Sequence, residues 1–224
     1  MDCTIYRQLI GSLLYLTHSW PDIYYAMNTV SRYMQQPHDI HWKVAKSIFQ
    51  YIQGTRSYDI HYAVDSELEL LGYTDSDWAG DSIDQNSTSK YVFMFGGPIL
   101  WSRKKHATIA FFSVEAEYRG IVNACIQAVW LQGIISEFDI GSNLSIVLFC
   151  DNKSAINIYT DPVTRKRTKH VEIHVHYIRE LVHDRTIVLQ YCPTNEQIAD
   201  IFTYNFSKKK FTYLCSLLGV SSSG

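Results

Sequence analysis

No apolar run in this sequence approaches the roughly 18 residues that a membrane-spanning helix needs. The start, Met1-Asp2-Cys3-Thr4, has no basic stretch followed by an apolar core, so no secretory leader is read there. Neither membrane insertion nor secretion is expected. Cysteine is sparse and odd in number: Cys3, Cys125, Cys150, Cys192 and Cys215 lie far apart, three of them inside apolar runs. That spacing excludes a disulfide or zinc framework and points to reduced, intracellular thiols. Excess charge is missing too. A formal net charge of -2 gives no global attraction to a polyanion, so any nucleic-acid contact has to come from local basic clusters. There is no internal repeat and no low-complexity segment beyond Ser221-Ser222-Ser223-Gly224, expected to be a flexible tail. What is present is a chain of 224 residues, 46% hydrophobic and 19% charged, long enough to bury a substantial core.

The periodicity changes once along the chain. Residues 5 to 53 carry three helical stripes: Ile5, Leu9, Leu13 and Leu16; then Ile23, Ala26, Met27, Val30 and Met34; then Trp42, Ala45, Ile48, Phe49 and Ile52. Pro21 separates the first two and Gly54 is placed to cap the third. These stripes predict helix packing and carry no visible chemistry, so residues 1–57 are assigned to a small helical segment. From about residue 58 the pattern turns to strands, at Tyr58 to Val64, Leu68 to Thr74, Tyr91 to Phe95 and Ile99 to Trp101, the last two as a hairpin. Residues 114 to 135 follow as a long amphipathic helix, and Ile146 to Cys150 reads as a strand covered on both faces. Helices through Ala155 to Tyr159 and His170 to Val182, a strand at Thr186 to Cys192, a Thr194/Gln197 capping box and a last helix from Lys208 to Leu218 complete the order. The expected fold is α/β, a mixed sheet with flanking helices, over residues 58–220.

Four acidic residues fall where elements begin or end. Asp75 follows the first expected strand in the turn Tyr73-Thr74-Asp75-Ser76-Asp77-Trp78-Ala79-Gly80, Glu117 lies in the first turns of the long helix, Asp151 follows the central strand, and Asp200 opens a late helix. Strand ends are where α/β proteins place ligands. Carboxylates crowded there are unfavourable without cations, and hard oxygen ligands suit Mg²⁺ or Mn²⁺. Helical phase does not choose between Glu115 and Glu117, each about 80° from the centre of the apolar stripe at about 100° per residue.

Taken together these motifs resemble a known family. Tyr73 to Asp81, Ser87-Thr88-Ser89-Lys90-Tyr91-Val92-Phe93, Ser113-Val114-Glu115-Ala116-Glu117-Tyr118, Cys150-Asp151-Asn152-Lys153-Ser154-Ala155, Arg167-Thr168-Lys169-His170 and Gln197-Ile198-Ala199-Asp200-Ile201 resemble the ribonuclease H region of copia-type retrotransposon Pol polyproteins, in order and spacing. Upstream, Tyr6 to Leu16 and Trp20-Pro21-Asp22-Ile23 resemble the segment after the reverse-transcriptase palm. The resemblance implies a ribonuclease H-like fold, and it selects Glu117, the acid preceding Tyr118, as the ligand. It further implies two Mg²⁺ ions, with Mn²⁺ as a substitute, bridged by Asp75, one also held by Asp200 and the other by Glu117 and Asp151. The implied activity is hydrolysis of the RNA strand of RNA:DNA hybrids, leaving 5′ phosphates and 3′ hydroxyls.

Implied partners are the hybrid and the rest of the reverse transcriptase, in a cytoplasmic particle or the nucleus. Nucleic-acid contact is expected from Lys104, Lys105, Asn152, Arg167, Lys169 and His170, with further basic clusters at Arg103, Arg165-Lys166 and Lys208-Lys209-Lys210. His170 and His174 are one helical turn apart, but a third zinc ligand is not evident nearby. The chain also departs from the family pattern. Lys90 stands where glycine is usual, Phe111 and Phe112 replace a smaller pair, Tyr204 stands for a lysine, and the loop 192–196 has no histidine. No Tyr-x-Asp-Asp palm signature is present, so polymerisation is not expected of this chain. The departures keep open a second reading, a catalytically decayed nucleic-acid-binding or scaffolding module of the same origin. A related nuclease or integrase is disfavoured by the order of the acids.

Overall fold

The computed structural model describes residues 2–63, 69–77, 87–106, 113–138, 145–160, 169–203 and 206–222, the side chains of 113, 114 and 169–173 excepted. In chain order the elements are α1 (Cys3–Leu16), α2 (Tyr24–Ser31), α3 (Asp39–Gly54), β1 (Tyr58–Ile60), β2 (Leu71–Asp77), β3 (Thr88–Met94), β4 (Pro98–Lys105) and α4 (Ser113–Glu137). Then come β5 (Ile146–Cys150), α5 (Lys153–Thr160), α6 (Lys169–His183), β6 (Ile187–Tyr191), α7 (Lys208–Leu217) and β7 (Val220–Ser222). Short 3₁₀ turns at Pro21–Ile23 and Ile198–Phe202 precede α2 and α7 respectively. No described helix is long and apolar enough to cross a membrane.

Two compact units result: 1–61 with 201–224, and 62–200. In the first, the Asp2 carboxylate accepts from the Thr4 amide at 2.8 Å and opens α1, whose Tyr6, Ile10 and Leu13 recur at helical spacing and are buried. They pack with Met27, Val30 and Ile48, and the Tyr6 hydroxyl donates to the Val30 carbonyl at 2.9 Å, which keeps a buried phenol satisfied. Residues 201–222, expected with the sheet, group here instead. Phe202 meets Tyr24 edge-on at 5.6 Å, Phe211 meets Tyr51 at 6.0 Å, and β7 pairs antiparallel with β1. Ser221 and Ser222 thus lie in a strand, not in the free tail the serine run predicts. Gly219, at φ 76°, makes the turn into it, with His61 O 2.8 Å from where a Cβ would stand.

The second unit is a mixed sheet in the order β4-β3-β2-β5-β6. β2, β3 and β4 are antiparallel neighbours, and β2, β5 and β6 run parallel. Ile121, Cys125 and Ala128 of α4 are buried with Leu148 of β5, Ala155 of α5 and Ile178 of α6 in one core. Two sequence expectations change. β1 joins β7 and not this sheet. β5 is covered fully on one side only: Ile146, Leu148 and Cys150 are buried, whereas Val147 and Phe149 are half-buried, Phe149 stacking on Tyr73 at 4.9 Å. The positions 78–86, 111–112, 165–167 and 204 lie outside the described residues.

Candidate active site

β2 runs three residues further than its apolar pattern, so Asp75 lies inside the strand and not in a turn after it. Its partner supplies the reason. Asp75 pairs in register with Lys90 of β3, Ser76 with Ser89 and Asp77 with Thr88, and the two polar ends hold each other in the ladder. Side chains alternate along a strand, so Asp75 and Lys90 share one face while Ser76 and Ser89 share the other. On the second face the two serine hydroxyls are 3.0 Å apart, and Ser89 Oγ is 2.5 Å from His106 Nε2. Burial holds the His106 imidazole below its ordinary range.

Helix α4 is brought onto β2 at this point by a missing side chain. A Cβ on Gly120 would stand 2.3 Å from Ser76 Oγ, and only glycine permits that approach. Glu117 lies one turn earlier and receives a hydrogen bond from the Ser76 backbone. Glu115 points elsewhere and pairs with Arg119, one turn on, at 2.7 Å. The pair that helical phase leaves open is thereby separated by tertiary contact.

Asp151 follows β5, and β2 and β5 are parallel with Tyr73 opposite Phe149. Asp75 and Asp151 each lie two residues further on, at the same end of adjacent strands. The Thr194 hydroxyl donates to Asp151 Oδ2 at 2.9 Å. Gln197, fully buried, donates from Nε2 to the Thr74 carbonyl at 3.0 Å, and its Oε1 accepts from the Ala199 amide at 3.3 Å. These bonds replace the capping box that Thr194 and Gln197 spell in sequence, and they tie the 3₁₀ turn carrying Asp200 to β2.

The electrostatics follow from this crowding. Burial, then the charges of Asp75 and Asp151, push the Glu117 carboxyl from 4.5 to about 9, with Lys90 opposing. Burial and Asp75 raise Asp151 as well, against the Thr194 hydrogen bond. The Cys150 thiol is pushed up by burial and stays neutral. One ligand-type atom from each of Glu117, Cys150 and Asp151 lies within 4.8 Å of the others, the one such group among the described residues. Its two carboxylates are hard oxygen ligands and fit a dication of the Mg²⁺ or Mn²⁺ kind.

The Asp75–Asp200 side of the cluster is different. The fully buried Lys90 ammonium donates to Asp75 Oδ2 and stands 3.9 Å from Asp200 Oδ1. A dication does not fit beside it. Lys90 is legible in sequence as a charge before the apolar run Tyr91-Val92-Phe93, but its target is fixed by strand register alone.

Of the expected nucleic-acid contacts, Lys104 and Lys105 are exposed at the end of β4, an edge strand. Asn152 has a structural task, its Oδ1 accepting from the Ala155 amide at 3.1 Å to cap α5. Arg167 and the side chains of Lys169 and His170 lie outside the described residues. His174 and His176 are exposed on α6. A residue the sequence leaves unread is Tyr191, exposed at the end of β6, with Lys153 Nζ 4.3 Å over its ring and Cys150 opposite it in register.

No family model matches the chain. Its sequence is 36% identical over 220 residues to the retrovirus-related Pol polyprotein from transposon RE2 of Arabidopsis thaliana, covering 98% of this chain and 15% of that polyprotein. It is 34% identical over 219 residues to the corresponding polyprotein from transposon TNT 1-94 of Nicotiana tabacum, covering 97% of this chain and 16% of the relative. The chain therefore spans about 15% of the length of these polyproteins. Among solved structures, a foamy viral protease–reverse transcriptase in complex with double-stranded DNA matches with a TM-score of 0.52 at 14% identity, over 84% of this chain and 32% of that one. The same kind of enzyme in complex with an RNA/DNA hybrid gives 0.50 at 14% identity, over 88% of this chain and 26% of that one. With its mixed sheet and flanking helices, the chain belongs to the retrovirus-related Pol polyproteins of transposons.

Proposed function

We propose that this chain is the ribonuclease H part of a transposon Pol polyprotein and hydrolyses the RNA strand of RNA:DNA hybrids with the help of divalent cations. The observation that carries the reading is the convergence of Asp75, Glu117, Asp151 and Asp200, from β2, α4, the end of β5 and a late 3₁₀ turn, on one end of the sheet. Four acids from four elements converge only where cations or protons compensate them. Glu117 and Asp151 would hold a divalent cation, Mg²⁺ or Mn²⁺, which when bound supplies Lewis-acid polarisation of a phosphodiester.

The chain's own groups set the conditions for that chemistry. Glu117 retains a proton at neutral pH and has to release it before both oxygens can act as ligands. Thr194 fixes the Asp151 carboxylate from the outer side, and Gln197 fixes the turn that bears Asp200. Recognition of the hybrid would draw on exposed cations such as Lys104 and Lys105. The expected result with a labelled hybrid is slow cleavage in Mn²⁺ or Mg²⁺. EDTA and Asp151→Asn each abolish it, and single-stranded RNA and duplex DNA remain intact. Undiminished cleavage by Asp151→Asn removes the site from consideration. One observation favours a second reading, a weakened module that binds hybrids without turning them over: Lys90 lies among the acids. Hybrid binding by the wild type with no cleavage in Mn²⁺ would select it.

A further inference from the structure

We infer that the Lys90 ammonium is a built-in substitute for one of two cations, filling the position between Asp75 and Asp200 and leaving the chain with a single divalent-ion site at Glu117–Asp151. The inference rests on the reading of these acids as a cation-dependent hydrolytic site. Three features carry it. Lys90 is fully buried, although lysine rarely is unless paired. Strand register puts it directly opposite Asp75, so its position is fixed by the β2–β3 ladder and not by a mobile loop. Its Nζ donates to one acid and lies 3.9 Å from a second, and these acids come from elements 125 positions apart in the numbering, Asp75 and Asp200.

An ammonium in this place neutralises one charge where a dication would neutralise two. The ammonium also stands where a cation shared by Asp75 and Asp200 would have to stand. With that position taken, the site is restrained in turnover while keeping a cation place on the Glu117–Asp151 side. Lys90 therefore sets cation stoichiometry.

The test compares wild type with Lys90→Gly, which removes the side chain, and Lys90→Ser, which keeps a side chain suited to a strand should the glycine variant fail to fold. Mn²⁺ binding is counted by calorimetry and by electron paramagnetic resonance, without substrate. The wild type is expected to bind one Mn²⁺ in the cluster with no coupled-pair signal. Either variant should bind one more, with the spin coupling of two ions about 4 Å apart, and cleave hybrid at least tenfold faster. A coupled pair in the wild type, or equal counts in all three proteins, overturns the inference, and the wild-type count alone suffices for this if neither variant folds. If the count rises from one to two but no protein cleaves hybrid, the role of Lys90 stands and the hydrolytic reading fails. If the wild type binds a coupled pair and cleaves in a manner abolished by Asp151→Asn, the hydrolytic reading stands and the role of Lys90 fails.

Discussion

Asp75 and Asp200 share Lys90, Glu117 meets the Ser76 backbone and Asp151 the Thr194 hydroxyl, and this makes single substitutions informative. Asp75 accepts from a fully buried ammonium, so Asp75→Asn removes the nearer of the two carboxylates that Lys90 faces. Breaking a buried pair from one side costs about 3–5 kcal/mol. Asp75→Asn is thus expected to lower the thermal midpoint by roughly 6–20 °C, taking about 2–4 °C per kcal/mol for a chain of this size. Lys90→Ser combined with Asp75→Asn should recover part of the loss, as measured by calorimetry. Glu117 responds to pH. Its carboxyl is held at about 9 in the fold against 4.5 when free, so between those values the native protein keeps a proton that the unfolded chain has released. Its contribution to stability is complete below pH 4.5 and is lost as pH rises through about 9. Asp151 is shifted in the same direction. In EDTA the thermal midpoint should fall on going from pH 6 to pH 9, and Glu117→Gln should flatten that slope. Added Mn²⁺ should raise the midpoint most at the alkaline end, with proton release on binding.

At the scale of elements, the site depends on how α4 meets β2. Gly120→Ala gains up to about 1 kcal/mol of helix propensity. Against that, the new methyl would meet Ser76 Oγ at 2.3 Å, and overpacking of this kind costs about 1–3 kcal/mol. The loss should win. Gly120→Ala is expected to be destabilised by roughly 1 kcal/mol and to bind Mn²⁺ more weakly, because lifting the helix moves Glu117. Ser76→Ala in the same chain should restore stability, and a double-mutant cycle measures the coupling. Residues 114 to 135 are legible as a helix because the apolar period is unbroken, and Ile146 to Cys150 as a strand because the run is continuous. The extension of β2 over Asp75 to Asp77 is not legible. Polar residues end a strand on pattern alone, whereas here Lys90, Ser89 and Thr88 of β3 complete the ladder. Thr194 and Gln197 mislead for a similar reason, since their side chains spend their hydrogen bonds on Asp151 and Thr74, far away in sequence.

For the whole molecule, the chain's last residues belong to the unit that contains its first. Phe202, Leu214 and Leu218 are buried there, and β7 supplies the partner of β1. Deleting residues 206–224 should therefore expose the first unit to limited proteolysis between 1 and 61 while 62–200 stays resistant; protection of both units would contradict that arrangement. The 57/58 boundary read from sequence records a real change of period, but a boundary drawn by period takes no account of residues that return 140 positions later. Sequence alone determined the succession of helices and strands and the family resemblance, with the four acids that go with it, because apolar period and local motif spacing are properties of neighbouring residues. Tertiary structure decided the rest. It placed Asp75 inside a strand, separated Glu117 from Glu115, returned the C-terminal segment to the helical unit and aimed the Lys90 ammonium between two carboxylates. Each of these turns on strand register or on the close approach of a helix to a sheet, contacts between residues distant in sequence that no local pattern encodes.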